Sequence, residues 1–205
     1  MELKDVFEQR RSVNFFDSKK DVDESLLREI FDLAKLAPSS FNLQPWRIVL
    51  VHSPEQKAKL QKCANNQPKV SAAAYTAIML GDKKVYEKMD PILDDGIKKG
   101  YYKEEMKDML KGMAKSLYSG DNERAFASRN IGLIAMAFML AAKSMGVDTH
   151  PIDGFDAGAI RKEFNIPENY EIVMLIAIGH FDQSKTLLPR CYRRSFDEVV
   201  VKESF

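Results

Sequence analysis

Residues 131–142 read Ile-Gly-Leu-Ile-Ala-Met-Ala-Phe-Met-Leu-Ala-Ala. They lie in a longer helical segment, Asp121–Met145, which Gly146 closes, since glycine accepts the left-handed turn that ends a helix. Between Ile131 and Ala142 this helix is apolar on every face, so protein must surround it. A single chain of 205 residues encloses such a helix with difficulty. A second copy of the chain, burying what the first leaves bare, is the simpler arrangement. The apolar run itself is too short to cross a bilayer.

Outward from this helix, three strands are expected. Glu171–Gly179 (Glu-Ile-Val-Met-Leu-Ile-Ala-Ile-Gly) reads as a strand buried on both faces and therefore central. Trp46–Val51 reads as another. Ala74–Gly81 reads as a buried strand, its alanines leaving a helix open. A first helix carries Leu3, Val6 and Phe7 and ends near Arg10-Arg11-Ser12. A second starts at Asp23 as N-cap, shows Leu27, Ile30, Phe31 and Ala34 at helical spacing, and is stopped by Pro38. Ser53-Pro54-Glu55-Gln56 opens a third, with Ser53 and Gln56 in capping-box positions, running to about Ala64. A short capped helix follows at Asp156–Phe164.

Residues 83–120 differ in character, being charged and broken at Gly96, Gly100 and Gly120; they predict short helices forming a lid, with a thin stripe of Met106, Leu110 and Met113. From about residue 183 to 205 the chain is a polar, arginine-rich extension with a late apolar patch at Val199–Val201. It needs a surface to lie on. One domain spanning 1–205 is the expected organisation.

Composition narrows the function. Hydrophobic residues make up 45% of the chain, enough for a core and too many for disorder as the main state. With 31 basic against 30 acidic residues, no long-range field favours nucleic acid or an anionic membrane. Cys63 and Cys191 form neither a disulfide framework nor a metal-ligand spacing. The charged start lacks a signal-peptide core, which points to a reducing cytoplasm. Rossmann, P-loop, HExxH and GxSxG patterns are all missing, and His52, His150 and His180 are scattered, reading as strand-end or surface residues. Metal and nucleophilic hydrolysis therefore have little support, and no metal site is expected.

Four segments carry more chemistry than core or surface requires. Arg10-Arg11-Ser12-Val13-Asn14 offers planar guanidinium donors, a hydroxyl and an amide, a set suited to phosphate; a basic helix C-terminus complementing the macrodipole is the alternative. Ala37-Pro38-Ser39-Ser40-Phe41-Asn42-Leu43-Gln44-Pro45-Trp46 holds polar side chains between two prolines, or is an ordinary helix-to-strand loop. Asn65-Asn66-Gln67-Pro68-Lys69 is again rigid and polar. Thr149-His150-Pro151-Ile152-Asp153-Gly154-Phe155-Asp156 contains a glycine where a ligand could approach the backbone, or is a turn with Asp156 as cap.

In content and order these segments resemble the FMN-dependent nitroreductase family, and the resemblance covers essentially the whole chain. It rests on Arg-Arg-Ser-x-x-x-Phe near the start, the 37–46 segment, Asn-Gln-Pro-Lys at 66–69, the 146–156 segment, and the tail Arg193-Arg194-Ser195-Phe196-Asp197-Glu198-Val199-Val200. The resemblance implies an α+β fold, a mixed, mainly antiparallel sheet surrounded by helices, in an intertwined homodimer with FMN at the interface. It implies that Arg10, Arg11, Ser12 and Asn14 line the phosphate, ribityl and pyrimidine side. Pro38, Ser39, Ser40 and Asn42 would come from the other subunit, and Asn66 and Lys69 would approach the pyrimidine edge. Pro151, Ile152, Asp153 and Gly154 would run along the ring, a backbone N–H near N5. Arg190 and Arg193 would complete the phosphate site from the tail. Phe41, Tyr101 and Tyr102 are candidates for the substrate pocket; the tyrosines could equally pack the lid.

The implied activity is ping-pong transfer of two electrons from NADH or NADPH, through FMN, to a small-molecule acceptor such as a nitroaromatic or quinone. Other flavin chemistry on the same scaffold (dehalogenation, flavin fragmentation, enone reduction) is the nearest alternative. A flavin-binding protein without turnover and a non-flavin structural dimer are the others. Two positions depart from the family pattern: Asn14 stands where members often carry Lys or Arg, and Asp153 where several carry Glu. An amide at 14 offers dipoles instead of a cation to reduced flavin, so a lower flavin potential is expected.

Overall fold

Gly81 and Ala127 meet where a strand crosses a helix, and this approach sets the architecture. In the computed structural model, which describes residues 1–204, a Cβ added to Gly81 would stand 2.8 Å from the Cβ of Ala127. Phe205, the last residue of the expected extension, lies outside the described residues. The strand is β2 (Tyr75–Asp82) and the helix α7 (Glu123–Ser144). With only hydrogen at position 81, the two backbones close to a distance that any side chain would prevent.

Four strands, β1 (Trp46–Val51), β2, β3 (Asp148–Ile152) and β4 (Tyr170–Gly179), form one sheet in the order β1-β2-β4-β3. All three pairings are antiparallel. The parallel contribution within the described chain is an isolated bridge between Ser12 and Thr149. As its unbroken apolar run predicts, β4 is interior. A bulge between Met79 and Leu80 leaves Val173 unpaired opposite β2. Val173 and Met174 consequently both pack on the α7 side.

Each face of the sheet is covered. On one, α2 (Glu24–Ala34) and α7 supply Leu27, Ile30, Ile131, Ile134 and Phe138 against Trp46, Met79, Ile176 and Ile178. On the other, α3 (Pro54–Cys63), α4 (Pro68–Ala72) and α8 (Ala157–Glu163) bring Leu60, Val70 and Ile160 against Ile78, Leu80, Ile172 and Leu175. Each such buried aliphatic contributes about 1.5–3 kcal/mol relative to exposure. Residues 83–120 form short helices, chiefly α5 (Asp90–Lys98) and α6 (Lys107–Tyr118). They cover Leu43 and Phe126, in the first turn of α7, with Tyr86, Met89, Leu93 and Leu110. The chain begins with α1 (Leu3–Gln9) and ends with a single turn, α9 (Phe196–Val199).

Several local expectations change in detail. Only Val6 of α1 is buried; Leu3 and Phe7 are exposed. Although Asp23 occupies the N-cap position of α2, its side chain accepts no cap hydrogen bond. The helix itself ends at Ala34, ahead of Pro38, through turn bonds from the N–H groups of Leu36 and Ala37. Ser53 caps α3 by accepting from the Gln56 N–H at 3.4 Å. Asp156 caps α8 through the Ala159 N–H at 2.9 Å. Gly146 closes α7 with φ +78°. The start of the 149–156 segment is strand β3 rather than loop. Periodicity could not show this, because the stretch has neither length nor apolar alternation.

Residues 120–144 are long and apolar enough, by length and composition, to cross a membrane, which the 131–142 run alone is not. Here the helix lies inside protein: α7 packs against all four strands and α2. Its enclosure is incomplete, however. Leu133 and Met136 remain 43% and 37% exposed, leaving an apolar stripe along one side.

Asn130, the buried amide of α7, holds a strained loop. Its Nδ2 donates to the Phe126 carbonyl at 2.8 Å, and its Oδ1 accepts the Ser40 N–H at 3.0 Å. Ser39 Oγ accepts from the Gln44 N–H at 3.0 Å. Between these anchors Phe41, Asn42 and Gln44 all take positive φ, at 52°, 53° and 47°. Non-glycine residues held there cost of order 1–3 kcal/mol each and persist only where surroundings over-determine them.

Two consequences follow for stability. Gly81→Ala should lower stability by roughly 1–3 kcal/mol, the usual penalty of overpacking, and Ala127→Gly in the same chain should recover part of the loss in chemical denaturation. Asn130→Ala leaves the Ser40 N–H without its partner, at a cost of about 1–3 kcal/mol; limited proteolysis should then cut first within residues 38–45.

Candidate functional site

The chain leaves α1 through Arg10 in extended conformation. Residues 12–13 then run beside β3, where the Val13 N–H donates to the Thr149 carbonyl at 3.3 Å. Tail residues 186–193 return to the same place. Together Arg10, Arg11, Ser12, Asn14, Phe15, Arg190 and Arg193 border a cavity of about 250 Å³. Its walls are tied across the length of the chain: Arg11 Nη2 donates to the Leu188 carbonyl at 2.7 Å. Arg190 Nη2 donates to the carbonyls of Glu8 and Arg10 at 2.8 and 3.2 Å. The C-terminal carbonyls of α1 are thus met by Arg190 of the tail, while Arg10 and Arg11 border the cavity. Arg193 donates to the nearby carbonyls of Cys191 and Tyr192.

Among the described residues, none of these arginines pairs with a carboxylate. Burial pushes the pKa of Arg10 down, and the neighbouring charges of Arg190, Arg193 and Arg11 push it further the same way. Like charges gathered around a concavity without counter-charge are the donor set of an anion site, and guanidinium groups match phosphate oxygens in particular.

A second group adjoins the first through Asn14. Lys69, on α4, donates from Nζ to Asn14 Oδ1 at 3.1 Å and lies 3.1 Å from His150 Nε2. His150 Nδ1 is 2.9 Å from the Val13 carbonyl. Burial lowers the Lys69 pKa. For His150 the lowering comes first from burial, then from Lys69, and the Val13 bond opposes it.

The 151–154 stretch is joined to the 65–67 loop. Gln67 Nε2 donates to the Gly154 carbonyl at 2.7 Å, and the Asp156 N–H donates to the Cys63 carbonyl at 2.8 Å. Asn65 and Asn66 turn this loop with φ 52° and 54°. Pro151 and Ile152 end β3, with Ile152 buried; Asp153 and Gly154 are exposed beyond it.

The structure therefore gathers Arg10, Arg11, Ser12, Asn14, Arg190 and Arg193 around one cavity, joins Lys69 to it through Asn14, and ties Gly154, which follows Pro151–Asp153, to the loop that contains Asn66. It does not bring Pro38, Ser39, Ser40 and Asn42 to the arginine cavity of the same chain. Their loop borders the 83–120 helices, where the Phe41 ring meets Tyr118 of α6 edge-on at 6.0 Å. Tyr102 packs over Gly96, where an added Cβ would stand 2.6 Å from its ring. Tyr101 is 77% exposed. Three residues that the sequence does not single out individually make structural contacts here: His150 and Gln67, which lie within two of the four polar segments, and Asn130, which holds the 39–44 loop. His150 reads in the sequence as a strand-end residue, and nothing in the spacing discloses that both ring nitrogens are engaged. Asn130 shows in the sequence only as a lone amide beside the apolar run.

A sequence model of the nitroreductase family matches residues 7–180. Bacillus subtilis MhqN, whose name describes an NAD(P)H nitroreductase, is 37% identical over 97% of this chain and 98% of its own length. The crystal structure of Bacillus subtilis ydfN, described as a nitroreductase, superposes with a TM-score of 0.91 at 35% identity, over 97% of each chain. A protein of Exiguobacterium sibiricum, described as a nitroreductase and solved in complex with FMN, gives a TM-score of 0.86 at 27% identity, covering 98% of this chain and 97% of its own. The α+β architecture and these matches agree along nearly the full sequence, and the chain belongs to the nitroreductase family.

Proposed function

We propose that the protein is an FMN-dependent NAD(P)H oxidoreductase that passes two electrons to nitroaromatics, quinones or similar acceptors, and that it works as a homodimer. The observation that carries this reading is the group of arginines around one cavity, Arg10, Arg11, Arg190 and Arg193, which meet no carboxylate among the described residues, in a chain of this family. The donor set suits FMN: guanidinium groups and Ser12 for its phosphate, then Asn14, Asn66 and Lys69 for the polar edge of its ring. Bound there, FMN supplies two-electron chemistry, taking reducing equivalents from NADH or NADPH and delivering them to the acceptor. The side chains bind and orient. Lys69 places positive charge at the polar edge, and Pro151, Ile152, Asp153 and Gly154 form a wall with backbone donors. No side chain is needed as acid or nucleophile.

The dimer is supported by what one chain leaves uncovered. Leu133 and Met136 form a bare stripe on α7, and Phe7, Phe15, Tyr192 and Phe196 are at least half exposed. A second copy covering these residues would also bring its Pro38, Ser39, Ser40 and Asn42 within reach of the first copy's cavity, and Phe41, Tyr101 and the lid to the acceptor side.

Purified protein, loaded with FMN if necessary, should show a flavin absorption band that anaerobic NADH or NADPH bleaches and a quinone or nitroaromatic restores. A band that persists under both donors would leave a flavin-binding protein without this turnover; failure to take up FMN would overturn the assignment. Arg11→Ala should weaken FMN binding by about tenfold or more, as expected for one charge-assisted contact. In redox titration, Asn14→Lys should raise the flavin midpoint potential, because a second ammonium beside Lys69 favours the reduced, more negative cofactor. An unchanged or lower potential would contradict that role for position 14.

A further inference from the structure

His150 is tied up at both ring nitrogens, and the order of the two contacts fixes its protonation. The Val13 carbonyl, 2.9 Å from Nδ1, can only accept a hydrogen bond, so Nδ1 carries the proton. The other nitrogen, Nε2, faces the Lys69 ammonium at 3.1 Å, which can only donate. A proton on Nε2 would point at a like charge. The imidazole is therefore held neutral with a lone pair aimed at Lys69.

Lys69 itself is held by two neutral acceptors, His150 Nε2 and Asn14 Oδ1. Among the described residues no carboxylate pairs with it. This differs from an ion pair in kind. A carboxylate would fix the ammonium and cancel its field, whereas two neutral acceptors fix it and leave its charge and its third N–H for something else. The two sides also differ in stiffness. Lysine has a flexible four-carbon stem, and Lys69 sits on a helix of five residues. His150 stands on β3, directly opposite Ala177 of the interior strand β4. The sheet thus lends its rigidity to the ammonium through one imidazole.

We propose that His150 is a positioning residue, which holds the Lys69 ammonium at the polar edge of the cofactor through the lone pair of its neutral imidazole, without cancelling its charge. The proposal rests on the assignment of this site to FMN. His150 acts on Lys69 and does not itself meet the ligand.

The test uses the full-length protein in two forms. In the FMN-loaded protein, His150→Leu should lower the flavin midpoint potential and weaken FMN binding about tenfold, the size of one lost charge-assisted hydrogen bond. His150→Gln, whose amide oxygen can accept in place of Nε2, should restore most of both. In a Lys69→Met background, His150→Leu should leave the potential where Lys69→Met alone put it. A wild-type potential in His150→Leu, no rescue by glutamine, or additive shifts in the double variant would overturn the proposal. In the cofactor-free protein, nitrogen NMR should find His150 as the Nδ1–H tautomer at neutral pH. Finding the Nε2–H tautomer would overturn the proposal whether or not the site takes FMN. Absence of FMN binding, with the Nδ1–H tautomer present, would instead refute the assignment of the cofactor.

Discussion

The close crossing of α7 over the sheet is the constraint on which the other elements depend. Gly81 lets the helix come down on β2 until Ala127 is in contact. With the helix at that height, its buried side chains fill the space between β2, β4 and α2. Its first turns carry Phe126 into the apolar cluster of the 83–120 helices and Asn130 up to the 39–44 loop. A helix standing farther off would lose both. The same element therefore provides the largest share of one core layer and the anchor of a loop whose backbone is strained at three positions. Core packing and loop geometry are one problem here, solved by a single helix.

Electrostatics at the other end of the sheet work differently. Around the arginine cavity, like charges are brought together by carbonyl contacts rather than by carboxylates. Two guanidiniums are oriented by backbone oxygens from another part of the chain, Arg11 by Leu188 and Arg190 by Glu8 and Arg10, while Arg193 donates to the carbonyls of its neighbours Cys191 and Tyr192. Lys69 is treated alike, with an amide oxygen and an imidazole in place of an acid. Orientation without neutralisation is a consistent feature of these groups. Much of the protein's ion pairing lies elsewhere, as between α5 and α6, where Lys107 and Lys111 meet Asp90 and Asp94.

Much of this fold was legible in the sequence because its signals were long or unambiguous. The unbroken apolar run 171–179 announced an interior strand, and 131–142 announced the enclosed helix. Shorter elements were lost: β3 has five residues, one of them proline, and α4 is a single turn and a half. The four polar segments were visible as segments, since prolines and amides at fixed offsets are local features. What each side chain does was legible only where chemistry dictates it, as with guanidinium and phosphate. His150 and Gln67 act across 137 and 87 residues of sequence separation, through contacts that only the tertiary fold creates. The bare stripe at Leu133 and Met136 has a different origin. Periodicity marked the helix as apolar all round, but how far one chain could cover it depended on packing between distant elements.

The contacts between residues 8–11 and 188–190 join two segments far apart in sequence. Segments that few contacts hold down ordinarily open locally, each independently of the rest. Here the opening of either segment dismantles the same concavity, because Arg10 and Arg11 stand on one and Arg190 and Arg193 on the other. An anion seated among these four arginines would therefore act as a clasp: it would reinforce a closure that the carbonyl contacts already make, and it would couple the opening of one segment to that of the other.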